Sequence, residues 1–262
     1  LYKIINIKDG RIYTDYVEHV AIISNNNIVK DFSYQQINGR LEDFSKNTVI
    51  KKGTPRLKKR FKGKVLSLVQ GASGNNYFHW LFDIIPKLFI IDNKIGLKNI
   101  DHFFLPDTRK WQLSSLSILD IDKNKIINSK TNRHISADNI IATSHPWYKN
   151  GYILNEAKFL PKWIIDEVNL KFSSFAKKFD CNSYFFIDRR ESPYKHCQII
   201  NDDEIKEYLK KKNFSIYKVG ELSFFEQIYL FQNAKKIIGA HGAAFANLAF
   251  CKPGTQIIEI IP

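Results

Sequence analysis

The sequence predicts an α/β protein built as two lobes with a cleft between them, residues 1–150 and 151–262. Three observations carry this. The chain has 262 residues, 44% hydrophobic and 14% aromatic, enough for a sizeable core. Its last eighty residues alternate strand and helix as β-α-β-α-β-α-β, the rhythm of a parallel sheet covered on both faces. Its first half also mixes short β-branched runs with helical segments.

In chain order, IYTDYV and VAIISNNNIVKDF read as strands, with Asn25 to Asn27 as a turn. Lys51 to Lys64, KKGTPRLKKRFKGK, reads as a basic loop, and Lys64 to Gln70 as a buried strand. GASG turns into a helix over Asn76 to Ile91. His102–Pro106 and Asn139–Thr143 read as strands flanking a helix over Thr108–Leu119. His145 to Asn155 reads as a connector, and Glu156 to Phe179 as one long helix. The clean rhythm follows: strand SYFFI, helix NDDEIKEYLKKK, strand NFSIYKV, and helix LSFFEQIYLFQNA with a Ser223/Glu226 capping box. Strand KKIIGA, short helix AAFANLAF and strand TQIIEII complete it. In such sheets ligands sit beyond the carboxyl ends of the strands, so the second lobe reads as a nucleotide-binding type.

Charge narrows the partners. Forty Lys and Arg against 26 Asp and Glu give a net charge of +14, which favours anions: nucleic acid, acidic lipid, nucleotide phosphate or acidic glycan. Nucleic acid would want aromatic stacking residues among the basic ones, and the basic stretch offers only Phe61. No apolar run reaches a membrane span. The three cysteines lack metal-ligand spacing and suit a reducing compartment. The chain opens on Leu1 and contains no Met, so a natural start upstream is expected.

Three constellations could carry chemistry. In GNNYFHWLFDIIPKL, Asn76, His79, Asp83 and Lys87 fall within an arc of roughly 80° on a helix of 3.6 residues per turn. So narrow a polar stripe on an apolar helix predicts a surface facing a cleft, or else a polar seam satisfied by neighbouring backbone. Either His79 or Asp83 could take a proton from a sugar hydroxyl. Asp83 is favoured as base with His79 positioning, and Asn76 and Lys87 are acceptor or cleft candidates. In KKIIGAHGAAFAN, a strand runs through Gly239, His241 and Gly242 into a helix, which suits an anion or simply tight packing. In FIDRRESPYKHCQIINDDE, Arg189 and Arg190 leave a strand's carboxyl end and suit a pyrophosphate, or a salt bridge to Asp188 or Glu191. LDID, with Asp120 and Asp122, resembles a metal clamp but reads better as a polar turn, so no metal ligands are assigned. No GxSxG or HExxH motif supports a hydrolase.

Together NYFHWLFDIIPKL, DRR…IINDDE and EQIYLFQNAKKIIGAHGAAFANLAFCKPGTQIIEI resemble glycosyltransferase family 61, over roughly Lys64 to Pro262. The resemblance implies a GT-B fold with an acceptor-side first lobe and a nucleotide-sugar-binding second lobe of Rossmann-like type. It implies inversion, a UDP-sugar donor and no obligatory metal or other cofactor. By position it assigns His79 and Asp83 to the active-site helix. It assigns Arg189, Gly239, His241, Gly242 and Asn247 to the donor side. Asp188 stands where relatives often carry Ser, and His196 to Gln198 where an Arg is usual, with Lys195 a substitute. The expected partners are a nucleotide-sugar and a glycan acceptor, acidic or lipid-linked, with peripheral contact to anionic membrane and no nucleic acid. The expected setting is the cytoplasm, at the inner face of a bacterial plasma membrane, in surface polysaccharide synthesis. A catalytically idle nucleotide- or sugar-binding module and a basic nucleic-acid-binding protein are the alternatives.

Overall fold

The computed structural model describes residues 2–261 except 16–18, 34, 38–39, 43, 71–73, 107, 148–150, 153–158 and 191–196, with only the backbone described for 35–37 and 151–152. The chain is mixed α/β and divides into two compact units, Leu1–Ile165 and Asp166–Pro262.

In the first unit the strands are β1 (Ile4–Lys8), β2 (Arg11–Thr14), β3 (Val20–Ser24), β4 (Asn27–Ile28), β5 (Gln35–Ile37), β6 (Arg40–Glu42), β7 (Lys59–Ser67), β8 (His102–Leu105), β9 (Ile126–Asn128), β10 (His134–Thr143) and β11 (Gly151–Tyr152). The main sheet runs β4-β3-β2-β10-β7-β8-β9, with β1 also on β10. Its β10-β7-β8-β9 part is parallel, while β1 to β4 are antiparallel. β5, β6 and β11 form a separate small sheet. The Asn25–Asn26 turn between β3 and β4 has positive φ at both residues, as a two-residue hairpin requires and asparagine tolerates.

Two expectations are corrected here. The basic stretch is not wholly a loop: Lys51 and Lys52 end the helix Thr48–Lys52, and β7 begins at Lys59. Pairing with β10, held by the Arg60–Asp138 ion pair at 2.6 Å, extends the strand through residues whose charges face water. The long helix is shorter, Lys162–Phe172 followed by a 3-10 turn, Ser173–Phe175. Its expected start at Glu156 lies outside the described residues.

The second unit holds β12 (Tyr184–Ile187), β13 (Ser215–Tyr217), β14 (Lys236–Ala240) and β15 (Gln256–Ile260), all parallel in the order β13-β12-β14-β15. Helices Asp202–Lys211 and Phe224–Gln232 make the first two crossovers. The Ser223/Glu226 box forms as expected, with both reciprocal bonds present. The third connection, Ala243–Phe250, is a 3-10 segment rather than an α-helix. The chain moves from β12 to β13 on one side and returns to β14 on the other. The switch point of this sheet is therefore between β12 and β14, where a crevice opens at the carboxyl ends.

Candidate active site

The aromatic-rich helix begins at Asn76, whose Oδ1 accepts from the N–H groups of Phe78 (2.9 Å) and His79 (3.3 Å). Asn76 is thus an N-cap, a role its side chain suits. The helix then runs α over Tyr77–His79, π over Trp80–Ile84 and α again over Ile85–Lys94. Pro86 explains the wide turn. It has no N–H to offer the Phe82 carbonyl and its ring would crowd that carbonyl in a regular helix. The Phe82 carbonyl instead accepts from the indole Nε1–H of Trp147 at 3.0 Å. Such π turns recur at functional sites.

The same indole N–H reaches Asp83 Oδ1 at 3.0 Å, and Asp83 Oδ2 lies 2.7 Å from His79 Nδ1. Asp83 is fully buried and the His79 side chain is 9% exposed. A second imidazole, His145, places Nε2 3.6 Å from the same Oδ2 and 2.8 Å from the Gln70 side-chain amide. The Trp147 backbone N–H donates to His145 Nδ1 (3.3 Å), while the Gln70 amide nitrogen faces Nε2. Burial pushes the His145 pKa down, against the pull of Asp83. For Asp83, burial works to raise the pKa. The imidazoles of His145 and His79 outweigh it and hold the carboxyl below the usual carboxylate range. Lys87, 2% exposed, is pushed down to about 7 by burial, against the pull of Asp83.

The stripe is therefore not an open row. Asp83 and Lys87 lie in the interior, a correction to the cleft-facing arrangement expected of them, and the carboxylate is met by His79 and Trp147. Gln70, His145 and Trp147 were not singled out from sequence. Gln70 follows β7 and His145 follows β10, so both stand past the carboxyl ends of neighbouring parallel strands, where such sheets place ligands. That position was the available signal, and seeing it requires knowing that β7 and β10 pair.

In the second unit a cavity of about 290 Å³ opens at the β12/β14 switch point. It is lined by Phe186, Ile187, Arg189, Arg190, Cys197, Gln198, Ile199, Ile200, Asp202, Asp203 and Ala240. Arg189 donates to the His241 carbonyl, and its guanidinium lies where Gly242 leaves room: a Cβ there would stand 2.3 Å from Arg189 Cζ. Gly239 packs against Ile187, 3.0 Å from where its own Cβ would be, so β12 and β14 approach closely. Arg190 is committed elsewhere, to Asp202 (2.8 Å) and Asp203. The half-exposed guanidinium is an ion-pair partner of these two acids rather than of Asp188, and the expected alternative Glu191 lies outside the described residues. Asp188 instead pairs with the buried Lys206 at 2.7 Å, and Lys206 also reaches Asp202 at 2.6 Å.

His241 Nδ1 lies 2.7 Å from Glu259 Oε1, joining the ends of β14 and β15. Asn247 is fully buried and donates to Gln227 Oε1 (3.0 Å) and the Ala244 carbonyl (3.1 Å). It pins the 3-10 segment to the preceding helix and does not line the cavity, contrary to the donor contact expected. Neither Gly239, His241 nor Gly242 lines it directly, but all three shape the arginine and strand that do.

Among the described residues, no three His, Cys, Asp or Glu side chains converge as a metal site. Asp122 of LDID caps a turn, accepting from Asn124 N–H at 2.8 Å. No helix among them is long and apolar enough to cross a membrane. The cysteines are free thiols, and burial pushes Cys251 up to about 11.

A buried carboxylate behind an imidazole, and an arginine at a strand's carboxyl end, are parts a group-transfer enzyme uses. No curated protein matches the chain. The family model described as Glycosyltransferase 61 matches residues 77–258, from the first residue of the π-containing helix into β15. That match spans more than half the sequence and takes in His79, Asp83, His145, Arg189 and Gly242. The chain therefore belongs to glycosyltransferase family 61.

Proposed function

We propose that this glycosyltransferase is an inverting enzyme of GT-B type that moves a sugar from a nucleotide-sugar, a UDP-sugar, to a glycan hydroxyl. His79 is the base. The observation that carries this is the 2.7 Å contact between His79 Nδ1 and the buried Asp83. An ionised carboxylate there holds the ring proton on Nδ1 and makes Nε2 the nitrogen that accepts a proton. Asp83 has no exposed surface and a depressed pKa, so it orients the imidazole and stabilises the imidazolium rather than taking the proton itself.

In one displacement, Nε2 takes the acceptor's hydroxyl proton as the oxygen bonds to C1 of the donor sugar, on the face opposite the nucleotide. The bond from C1 to the diphosphate oxygen breaks and its electron pair leaves with the diphosphate. Arg189 stabilises that growing charge, and charge-assisted bonds of this kind are worth about 1.5–3 kcal/mol each. Arg190 shapes the pocket through its acidic partners. We further propose that the reaction needs no obligatory metal. The setting is the cytoplasm, at the inner face of a bacterial plasma membrane, in surface polysaccharide synthesis.

The test is transfer by purified protein from a panel of nucleotide-sugars, with UDP release and product anomer read together, with and without EDTA. Release of UDP, an inverted anomer and indifference to EDTA are expected. A retained anomer, or activity strictly dependent on a divalent ion, overturns the proposal.

A further inference from the structure

The helix Thr48–Lys52 and the first residues of β7 bracket a tip with an unusual surface. Leu57 is 97% exposed and Ile50 51% exposed, two aliphatic side chains presented to solvent. In the same stretch Lys51, Lys52, Lys58 and Lys62 are exposed and make no ion pair among the described residues. The arginines of the same stretch differ. Arg56 faces Asp15 at 3.3 Å, and Arg60 bridges Asp9 and Asp138. The structure thus neutralises the arginines and leaves the lysines in water.

We propose that this tip is a docking surface for an anionic lipid bilayer, with Leu57 entering the headgroup region and the lysines meeting acidic lipid. The inference deepens the membrane setting proposed above and rests on it. Charge complementarity selects an anionic partner, and the aliphatic tip selects a bilayer over nucleic acid. Bases would need an aromatic platform. The single candidate, Phe61, packs against the sheet core with Lys59 Nζ 5.2 Å from its ring centroid. A solvent-exposed leucine gains most where acyl chains can cover it. The tip precedes β7 while Gln70 and the His79 helix follow it. Nine residues at about 3.3 Å each put roughly 26 Å between the strand's two ends. Docking therefore leaves the His79 site uncovered, and binding and transfer are separable.

Each exposed lysine near an acidic leaflet contributes about fivefold in affinity, so removing three weakens binding about a hundredfold. Burying Leu57 contributes about tenfold. The experiment is co-sedimentation of the full chain with phosphatidylcholine vesicles containing one-third phosphatidylglycerol, over a salt series, beside pure phosphatidylcholine and a duplex DNA competitor. Binding to the acidic vesicles alone, falling with salt, is expected. K51Q/K52Q/K58Q should lose about a hundredfold. L57S should lose about tenfold and stay salt-sensitive. Both variants should keep wild-type melting temperatures and wild-type transfer to a soluble acceptor. Absence of vesicle binding, wild-type binding by L57S, or displacement from vesicles by DNA overturns the proposal. The vesicle-binding readouts do not depend on the sugar chemistry, so the membrane surface can fail while the transferase reading stands.

Discussion

Replacing Asp83 by Asn tests the division of labour on the π-containing helix. The amide is the size of the carboxylate and can keep the indole bond of Trp147, now 3.0 Å from Oδ1. The other atom, 2.7 Å from His79 Nδ1, becomes an N–H. Two donors cannot face each other at that distance. The imidazole answers by moving its proton to Nε2, which leaves no lone pair for the acceptor hydroxyl. The contribution of a general base is about 10²–10⁴-fold, so kcat should fall by that factor, about 3–5.5 kcal/mol of barrier. In the proposed arrangement Arg189, not Asp83, meets the nucleotide, so the affinity for UDP should stay within twofold. Initial rates over a donor series, with UDP affinity by calorimetry, separate the two effects. Turnover within tenfold of wild type would show that the 2.7 Å contact does not set the tautomer. Equal loss of rate and of UDP affinity would show instead that the substitution disturbs the donor site.

Two further predictions come from packing and burial. Gly242→Ala adds a methyl 2.3 Å from Arg189 Cζ, and the flexible end of the arginine gives way rather than the backbone. Melting temperature should hardly change, while UDP affinity drops about tenfold to a hundredfold, as in Arg189→Ala. The double variant should be no worse than either single one, and additive losses would separate the two residues. Lys87, with a pKa of about 7 in the fold against an ordinary 10.5, binds fewer protons folded than unfolded between those values. Stability from this group is therefore full above pH 10.5 and is lost as pH falls to 7, with a slope of up to about 1.4 kcal/mol per pH unit. Lys87→Met should flatten that slope in urea denaturation from pH 7 to 9, and an unchanged slope would assign it to other groups.

Much of this molecule is local and was legible in the chain. The β-α-β rhythm from Tyr184 onward follows from residue period. The Ser223/Glu226 cap follows from three-residue spacing. The His79–Asp83 contact follows from one helical turn. The glycine of GAHGA marked a close approach, although not that Arg189 makes it. The sequence also showed which residue types gather on the aromatic helix, but not that its stripe is covered.

What the tertiary structure decided is everything that depends on pairing between distant segments. The turn at Trp80–Ile84 needs Pro86 and an indole more than sixty residues away to take the orphaned carbonyl. Gln70 and His145 meet only because β7 and β10 are neighbours in parallel. Lys59 to Lys64 form a strand because β10 is there to bond them. Asp202 and Asp203, rather than Asp188, form ion pairs with Arg190. Periodicity reports the face a residue takes on its own element, because backbone geometry fixes it. Which element lies opposite that face is set by register and chain return, and no local spacing encodes them.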